Sequence, residues 1–237
     1  MQSIDLDEWR RVLVTGSDAM DWLEDLVSAW ISRVRPDDSV RSLLLTPTGR
    51  IRADFHVTPY EDGYLLIQDA IQPVPIDELL SRYVLSSDVK LVNRDEPRTG
   101  VWHGDAISPG TEHTGMTLDE FDVWRIRQGI PRFGIDLHED SLPQEAGWER
   151  FIDFTKGCFM GQEAMAKIRN MGGHPTRVVR PMHAAEKVVA GEAIVAGGKQ
   201  VGVVTSAAET DVMARVSWDA GNAELRTENG VELSDRA

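Results

Sequence analysis

Hydrophobic spacing in the first third of the chain switches between the periods of a strand and a helix. Arg11 to Thr15 predicts a short strand, and Ser17 can cap a helix that follows it. The apolar residues of that helix recur at helical spacing at Trp22, Leu23, Leu26, Val27, Trp30 and Ile31. The turn-forming run from Arg35 to Asp38 is expected to end the helix.

Strand-like runs dominate the next fifty residues. Strands are predicted at 42–46, 51–58 and 63–68, separated by turn signals at 47–49 and 61–63. A helix is predicted from Pro75 to about Leu85, with proline well placed in the first turn, and a further strand spans 88–92. Strands packed around helices in this order predict an α+β fold with a largely antiparallel sheet.

The second half of the chain is less regular until its last third. Residues 95–115 predict one short strand near Val101, residues 119–128 are helical or extended, and 130–150 are mostly loop. Short β segments are then predicted near 177–183, 192–196, 199–206 and 212–218, which indicates a small C-terminal β-barrel. The polar residues from about 222 are expected to be frayed.

Net charge limits the classes of partner. The chain carries −14, which argues against non-specific binding of nucleic acid, since such binding relies on neutralising phosphates. One stretch, 156–180, holds five basic side chains against the single acid Glu163. This basic strip suggests a small anionic ligand guided to one place, and its alternative interpretation is a solvated basic face.

A single cysteine among 237 residues sets the redox expectation. One cysteine forms no intrachain disulfide, which fits a reducing cytoplasm. It also cannot hold an iron–sulfur cluster by itself, since such clusters usually take four protein ligands. No stretch approaches the ~20 apolar residues of a membrane span, and no apolar signal core begins the sequence.

That cysteine lies in an unusual octapeptide, Lys-Gly-Cys-Phe-Met-Gly-Gln-Glu, at residues 156–163. Gly157 and Gly161 are expected to permit a tight turn, and strong helix formers follow from Gln162 to Asn170. Cys158 would thus lie ahead of a helix N-terminus and near Lys156, and both features favour thiolate over thiol. The alternative is a small buried hydrophobic residue, the commonest state of an unpaired cysteine.

The octapeptide resembles the signature of the YgfZ-type folate-binding proteins. These are relatives of the glycine-cleavage T-protein (aminomethyltransferase) and include a mitochondrial iron–sulfur assembly factor. Four further segments resemble landmarks of the same family in the same order, at 14–19, 45–51, 125–131 and 201–206. Nothing in 95–120 matches.

This resemblance implies an architecture and its boundaries. The family has a cloverleaf of α+β subdomains around a central folate site, with a small C-terminal β-barrel. Carried onto this chain, it predicts a folate-binding α+β region over 1–176 and a barrel over 177–237. The first region would hold two intertwined subdomains, roughly 1–40 with 119–176, and 41–118.

Two site residues follow from matched segments. Asp54 corresponds to an aspartate that approaches the folate's one-carbon nitrogens in the T-proteins, where it would hydrogen-bond the pterin or act as a general base. Its alternative is an outward-facing strand residue, on one polar face with Arg52 and His56. Arg125 matches an arginine that binds the carboxylates of the folate tail, and its alternative is a surface salt bridge.

The remaining predicted site residues lie in the basic strip and the octapeptide. Lys156, Gln162, Arg169 and Arg177 are predicted to bind the folate together with Asp54 and Arg125, while Cys158 and Asp54 are the predicted catalytic groups. Glu163 is interpreted as a charge at a helix start. No metal site is predicted, because no histidine pair has the spacing that places two ligands on one helix face.

The resemblance implies a cytoplasmic folate-binding protein that supports assembly or repair of iron–sulfur enzymes, including tRNA-modifying ones. Its cofactor would be tetrahydrofolate or a one-carbon derivative, and its partners iron–sulfur client or assembly proteins. The alternative is a tetrahydrofolate-dependent aminomethyltransferase. Two features favour the first: Cys158 is present, and residues 90–120 lack the Gly-Tyr-Thr-Gly-Glu-type segment of the T-proteins. Whether any reaction is catalysed stays open.

Overall fold

A computed structural model describes residues 1–112, 114–170 and 172–236, and it confirms the α+β class. The strands are β1 (Gln2–Asp5), β2 (Trp9–Thr15), β3 (Val40–Leu45), β4 (Ile51–Tyr60), β5 (Gly63–Asp69), β6 (Lys90–Asn93), β7 (Thr99–His103), β8 (Ala106–Pro109), β9 (Arg177–Ala184), β10 (Ala193–Ala196), β11 (Lys199–Ala208), β12 (Asp211–Ser217), β13 (Leu225–Thr227) and β14 (Glu232–Asp235). The helices are α1 (Ala19–Leu26), α2 (Ile76–Ser81), α3 (Leu118–Gln128) and α4 (Gln162–Asn170). Short 3-10 helices lie at Ile31–Arg33, Pro143–Ala146, Trp148–Phe151 and Trp218–Ala220.

The chain divides into two compact units. The first comprises Met1–Leu118 with Glu149–Arg169, and the second comprises Asp119–Trp148 with the chain from Asn170 onward. This division groups residues differently from the predicted subdomains, whose boundaries stay a prediction. Residues 1–40 group with 41–118, because β2 hydrogen-bonds to both β5 and β6 within one sheet. Residues 119–148 group with the barrel.

A five-stranded antiparallel sheet, in the order β3-β4-β5-β2-β6, forms the centre of the first unit. One face packs against α1 and α2 through a buried cluster that includes Leu23, Phe55 and Leu79. Side chains alternate across a strand, so Asp54 and His56 lie on the opposite face of the sheet from Phe55. On that face the amide of Ile107 in β8 donates to His56 Nδ1 at 3.2 Å.

The segment 95–115 contains more strand than its composition predicts. β7 pairs with β8 in a short hairpin and with β1 at the start of the chain, which makes a three-stranded sheet in the order β1-β7-β8. Trp102 and Ile107 are buried in it. Strands of four or five residues and mixed composition show little periodicity. The pairing of β7 with β1 also joins segments about a hundred residues apart, so a local sequence pattern does not predict this sheet.

The first helix ends earlier than its apolar spacing predicts. α1 stops at Leu26 and Val27 is extended, whereas the helical pattern continues to Ile31. The chain leaves the helix because Ser28 pairs with β3: its amide donates to the Leu43 carbonyl at 3.0 Å, and its hydroxyl accepts from the Leu43 amide at 2.9 Å. α2 likewise ends at Ser81 rather than near residue 85.

The second unit contains the predicted barrel, which is closed in the order β10-β11-β12-β9-β14-β13. The expectation of a frayed tail from about residue 222 is wrong, since β13 and β14 complete the closure between β10 and β9. Leu225 and Leu233 are buried in the barrel core, and they anchor these two otherwise polar strands. Residues 119–128 take the helical alternative, as α3.

Among the described residues, none of the helices has the length and the apolar composition that crossing a membrane requires.

Candidate functional site

A cleft of about 550 Å³ opens in the first unit between two segments that are far apart in sequence. Its walls come from residues 29–41 and 150–155, with Arg169 contributed by α4. Two hydrogen bonds tie the walls together: Ser28 Oγ donates to the Phe151 carbonyl at 2.8 Å, and the Asp153 amide donates to the Ser28 carbonyl at 2.9 Å. The cleft is within the size range of small-ligand sites.

A buried ion pair supports one wall of the cleft. Arg41 lines the cleft and holds Asp54 in a two-point contact, Nε to Oδ1 at 2.8 Å and Nη2 to Oδ2 at 2.7 Å. The Asp54 backbone is fixed in turn by Gln72, whose side-chain amide bonds both its N–H and its carbonyl. Asp54 is buried, so the interpretation as an outward-facing residue is wrong, and its carboxylate fixes the plane of the Arg41 guanidinium.

His56 lies beside this pair on β4 and is also buried. Burial first, and the Arg41 charge second, hold the pKa of His56 well below its usual value, so the imidazole is neutral at pH 7. Its Nδ1 accepts the Ile107 amide, and its ring meets Trp102 edge-on with the centroids 5.8 Å apart. These contacts describe a core histidine rather than a proton donor to a ligand.

Two arginines at the cleft lie over aromatic rings. The Arg33 guanidinium carbon lies 3.2 Å from the Trp30 ring centroid, and that of Arg169 lies 4.7 Å from the Phe154 centroid. Both side chains belong to exposed residues. Within the described residues, neither guanidinium makes a hydrogen bond or an ion pair, so their N–H groups remain available to a ligand.

Arg150 occupies the same cleft but has an acid beside it. It contacts both carboxylate oxygens of Asp105, Nε to Oδ2 at 3.2 Å and Nη2 to Oδ1 at 2.9 Å. Hydrogen bonding from Arg150 lowers the pKa of Asp105 below its ordinary value. The guanidinium also lies over the Phe151 ring, 4.4 Å from its centroid.

Lys156, the first residue of the octapeptide, points into the protein. Its Nζ donates to the carbonyls of Val27 and Ala29 at 2.6 and 2.8 Å, just beyond the end of α1. Burial lowers the pKa of Lys156 to about 8. The ammonium thus anchors the octapeptide to the first wall of the cleft, and its predicted folate contact stays a prediction.

The two glycines of the octapeptide have different backbone conformations and surroundings, and its cysteine is exposed. Gly161 has φ of +83°, and a Cβ there would lie 2.5 Å from the Thr46 carbonyl oxygen. The prediction that this glycine permits a tight turn is therefore confirmed. The same expectation for Gly157 is wrong, because its φ is not in the positive range and open space surrounds it. Cys158 is exposed, which contradicts the buried alternative. Gln162 is partly exposed as the first residue of α4.

In the second unit, Arg125 is fully buried. Its Nε donates to Asp122 at 2.8 Å, its Nη1 to the buried Asp136, and its Nη2 to Ser206 Oγ at 2.6 Å. Asp136 also accepts from the Thr205 and Ser206 hydroxyls. This pair is neither a surface salt bridge nor an exposed anion site, so the geometry favours a structural role and the predicted folate contact is untested.

The five basic side chains of the strip at 156–180 do not all remain exposed and unpaired in the structure. Arg177 pairs with Glu145 at 2.9 Å and with Asp140, and Arg180 pairs with Asp235. Hydrogen bonding to Asp140 raises the pKa of Arg177. With Lys156 enclosed, only Lys167 and Arg169 of the five remain exposed, because sequence spacing shows the charges but not the acids that neutralise them.

Arg33 is a cleft residue that the sequence pattern missed. It lies outside the basic strip. The apolar spacing assigns its partner Trp30 to the buried face of the predicted first helix, which hides its role in the cleft. An aromatic residue three positions before an arginine was the available signal. No group of three or more histidine, cysteine, aspartate or glutamate side chains in the described part of the chain has the geometry to hold a metal ion.

Sequence comparisons relate the chain to aminomethyltransferases, although no family model matches it. The aminomethyltransferase of Aquifex aeolicus is 48% identical over 122 residues, which cover 43% of this chain and 35% of that protein. That of Streptomyces coelicolor is 28% identical over 159 residues, 64% of this chain and 42% of that protein. The matched segments therefore span less than half of either aminomethyltransferase. An uncharacterised protein of Haemophilus influenzae is 24% identical over 199 residues, 73% of this chain and 70% of that one.

A solved structure extends the likeness to the whole fold. The glycine cleavage system aminomethyltransferase T of Bartonella henselae matches with a TM-score of 0.82 and 17% sequence identity, covering 99% of this chain and 84% of that one. The chain thus has the aminomethyltransferase T fold, as the octapeptide resemblance predicted. At this identity the likeness establishes the fold alone.

Proposed function

We propose that this protein binds a reduced folate, tetrahydrofolate or a one-carbon derivative, at the cleft of its first unit. The observation that carries the proposal is the cleft itself: Asp54, an aspartate that resembles the family's folate contact, orients Arg41 in its wall, and Arg169 lines it. The fold and the partial sequence match to aminomethyltransferases support a folate ligand.

The chemistry of the lining suits such a ligand. A folate joins a planar pterin and an aminobenzoyl ring to a carboxylate tail, so it needs apolar ring surfaces and cations in one site. The cleft has aromatic surface from Trp30, Phe151 and Phe154. Arg33 and Arg169 add planar guanidinium groups, whose N–H groups can donate hydrogen bonds. A fork of parallel N–H groups matches a carboxylate better than a point charge does.

The finer proposal is that folate binding serves the assembly or repair of iron–sulfur enzymes, including those that modify tRNA, in the manner of the YgfZ-type proteins. Cys158 would be the reactive group of that activity. Its exposure supports this, since a thiol must be accessible to meet a partner protein. A single cysteine limits any cluster contact to one ligand, so client or assembly proteins would complete it.

Aminomethyl transfer to tetrahydrofolate is the second candidate, and a specific observation favours it. The segment shared with the Aquifex aeolicus aminomethyltransferase is 48% identical. Against it stand the missing Gly-Tyr-Thr-Gly-Glu-type segment and the cysteine that the T-proteins lack at this position. Glycine-cleavage activity reconstituted with the other components of that system would establish it.

A complementation experiment tests the proposed function. Cells lacking the native protein would receive wild type, Cys158→Ala, or the control Lys167→Ala, which changes an exposed residue of the following helix. The proposal predicts that wild type and control restore iron–sulfur enzyme activity, and that Cys158→Ala folds, binds tetrahydrofolate and fails to restore it. Full restoration by Cys158→Ala would remove the cysteine from the function.

A further inference from the structure

Helix α3 of the second unit has one buried face and one open face. The buried face carries Phe121, Arg125 and Ile126, and the ion pair and hydrogen bonds of Arg125 hold it there. The Arg236 guanidinium donates to the carbonyls of Ile126 and Arg127, so it fixes the C-terminal end of the helix. Because α3 is held from one side, its open face needs no rearrangement to meet a partner.

The open face of α3 has an apolar centre between an acidic end and a basic end. Val123 is 40% exposed, and Trp124 beside it is partly exposed. Glu120 lies one turn before these two residues and Arg127 lies one turn after them, and both are exposed. The face therefore reads acid, two apolar residues, base, at positions i, i+3, i+4 and i+7 of one helix.

A groove of about 430 Å³ lies on this face, and every residue of its lining belongs to α3. Its lining consists of the four residues just named together with Asp119 and Gln128. Four side chains at these spacings form the hole that receives a side chain of a neighbouring helix in knobs-into-holes packing. A small molecule on a single helix would stay largely uncovered, so the groove is better suited to a second helix.

We propose that the open face of α3 is a self-association surface, on which two copies of this protein pair their α3 helices antiparallel about a two-fold axis. The axis passes between Val123 and Trp124. It sets Glu120 of each copy opposite Arg127 of the other, so two pairs of opposite charges flank the apolar centre. Val123 and Trp124 of the two copies then cover one another, which removes their apolar surface from water.

The charge pattern favours an antiparallel second copy over other partners. Parallel pairing of the same two helices would set Glu120 against Glu120 and Arg127 against Arg127, whereas antiparallel pairing also opposes the two helix dipoles. Nucleic acid and anionic lipid are disfavoured, because the face carries the acids Asp119 and Glu120 on a chain of −14.

The association is expected to be weak. Helix α3 has eleven residues, so a pair of such helices buries less area than a permanent dimer interface does. The net charge of each copy also opposes association over long distances. Salt near about 0.15 M screens that repulsion beyond about 8 Å and leaves the close pairs of opposite charge effective. We therefore expect a dissociation constant between about 1 μM and 1 mM.

Sedimentation velocity over a range of protein concentrations, at about 0.15 M salt, tests the proposal with charge reversals. The proteins are wild type, Arg127→Glu, Glu120→Arg and the double variant Glu120→Arg/Arg127→Glu. Two controls, Lys187→Glu and Glu209→Arg, make the same changes of net charge at an exposed ion pair of the barrel.

Wild type, both controls and the double variant should dimerise with similar affinity. Each single variant should bind itself at least about tenfold more weakly, because like charges then meet at two points of the interface. An equimolar mixture of Arg127→Glu and Glu120→Arg should dimerise again, since the two variants restore opposite charges across the axis. Circular dichroism checks that every variant is folded.

Three results would overturn the proposal, and none of them depends on folate binding. The first is a wild-type protein that stays monomeric up to about 1 mM. The second is a dimer that neither single variant weakens, which would lie on another surface. The third is a dimer that the double variant and the mixture both fail to restore, which would exclude the antiparallel pairing of charges.

A second variant keeps the test decisive if Glu120→Arg fails to fold, since an acid near a helix N-terminus stabilises the helix. Val123→Ser removes exposed apolar surface at the centre of the face and leaves the charges in place. The proposal predicts weaker association for both Val123→Ser and Arg127→Glu. Unchanged association of these two folded variants would overturn it.

Discussion

Each unit contains a buried arginine–aspartate pair, and the two pairs have different surroundings. Arg125 and Asp136 in the second unit are enclosed, with further donors and acceptors from Asp122 and Ser206. Arg41 and Asp54 in the first unit are also buried, but Arg41 forms part of a cleft wall. The same two residue types therefore stabilise a core in one place and shape a candidate ligand site in the other.

The difference shows what decides the role of a buried arginine. Asp136 accepts hydrogen bonds from four groups of its own unit, so its carboxylate is satisfied without a ligand. Both carboxylate oxygens of Asp54 instead accept from one side chain, that of Arg41, which lines the cleft.

Arg125→Ala should have the largest effect on stability. It leaves the Asp136 carboxylate buried without its cation, which typically costs about 3–5 kcal/mol of unfolding free energy. Chemical denaturation measures this loss, and tetrahydrofolate affinity of the folded fraction should be unchanged. The control Arg98→Ala removes an exposed pair with Glu96 and should cost less than about 1 kcal/mol. Normal stability with lost folate binding would return Arg125 to the ligand site.

Asp54→Asn should affect both stability and binding. Asparagine retains a hydrogen-bond acceptor but not the charge, so we expect about 1–3 kcal/mol of lost unfolding free energy together with weaker binding of tetrahydrofolate. Asp235→Asn is the control, since it loosens a partly exposed two-point pair with Arg180 that lies outside the cleft. Unaltered folate affinity in a destabilised Asp54→Asn protein would make this carboxylate purely structural.

Lys156→Met should have the smallest effect at pH 7, about 1 kcal/mol, because the lost hydrogen bonds to two carbonyls are partly offset by removal of a buried charge. The pH dependence is more informative. The pKa of Lys156 is about 8 when folded and 10.5 in its ordinary state, so between these values the unfolded chain binds more protons. The unfolding free energy of wild type should therefore rise relative to the variant from about pH 8 to 10.5. Parallel pH profiles would refute the burial of this ammonium.

Local patterns predicted much of the fold, and pairing across distance explains what they missed. Strands with clear alternation or turn signals, such as β4 and β5, lie close to their predicted places. β1, β13 and β14 are short and gain stability from partners remote in sequence, so no local signal marks them. The octapeptide predicted the turn at Gly161 and the helix that follows it, and both are present.

The candidate site was less predictable than the fold, because it depends on which charges meet. Sequence spacing grouped Lys156, Arg169 and Arg177 into one basic strip, yet the structure encloses the first, leaves the second at the cleft and pairs the third with acids. Arg33 lies more than a hundred residues from Arg169 and joins the same cleft. Only the folded chain shows which arginines retain unused donors.

A calorimetric titration with tetrahydrofolate under reducing conditions measures whether this protein binds a reduced folate. A glycine-cleavage aminomethyltransferase run in parallel confirms that the ligand is intact. Folate binding at the cleft predicts a saturable isotherm with one site per chain for the wild-type protein. An absence of binding heat from the folded protein, at ligand concentrations that saturate the aminomethyltransferase, would contradict it.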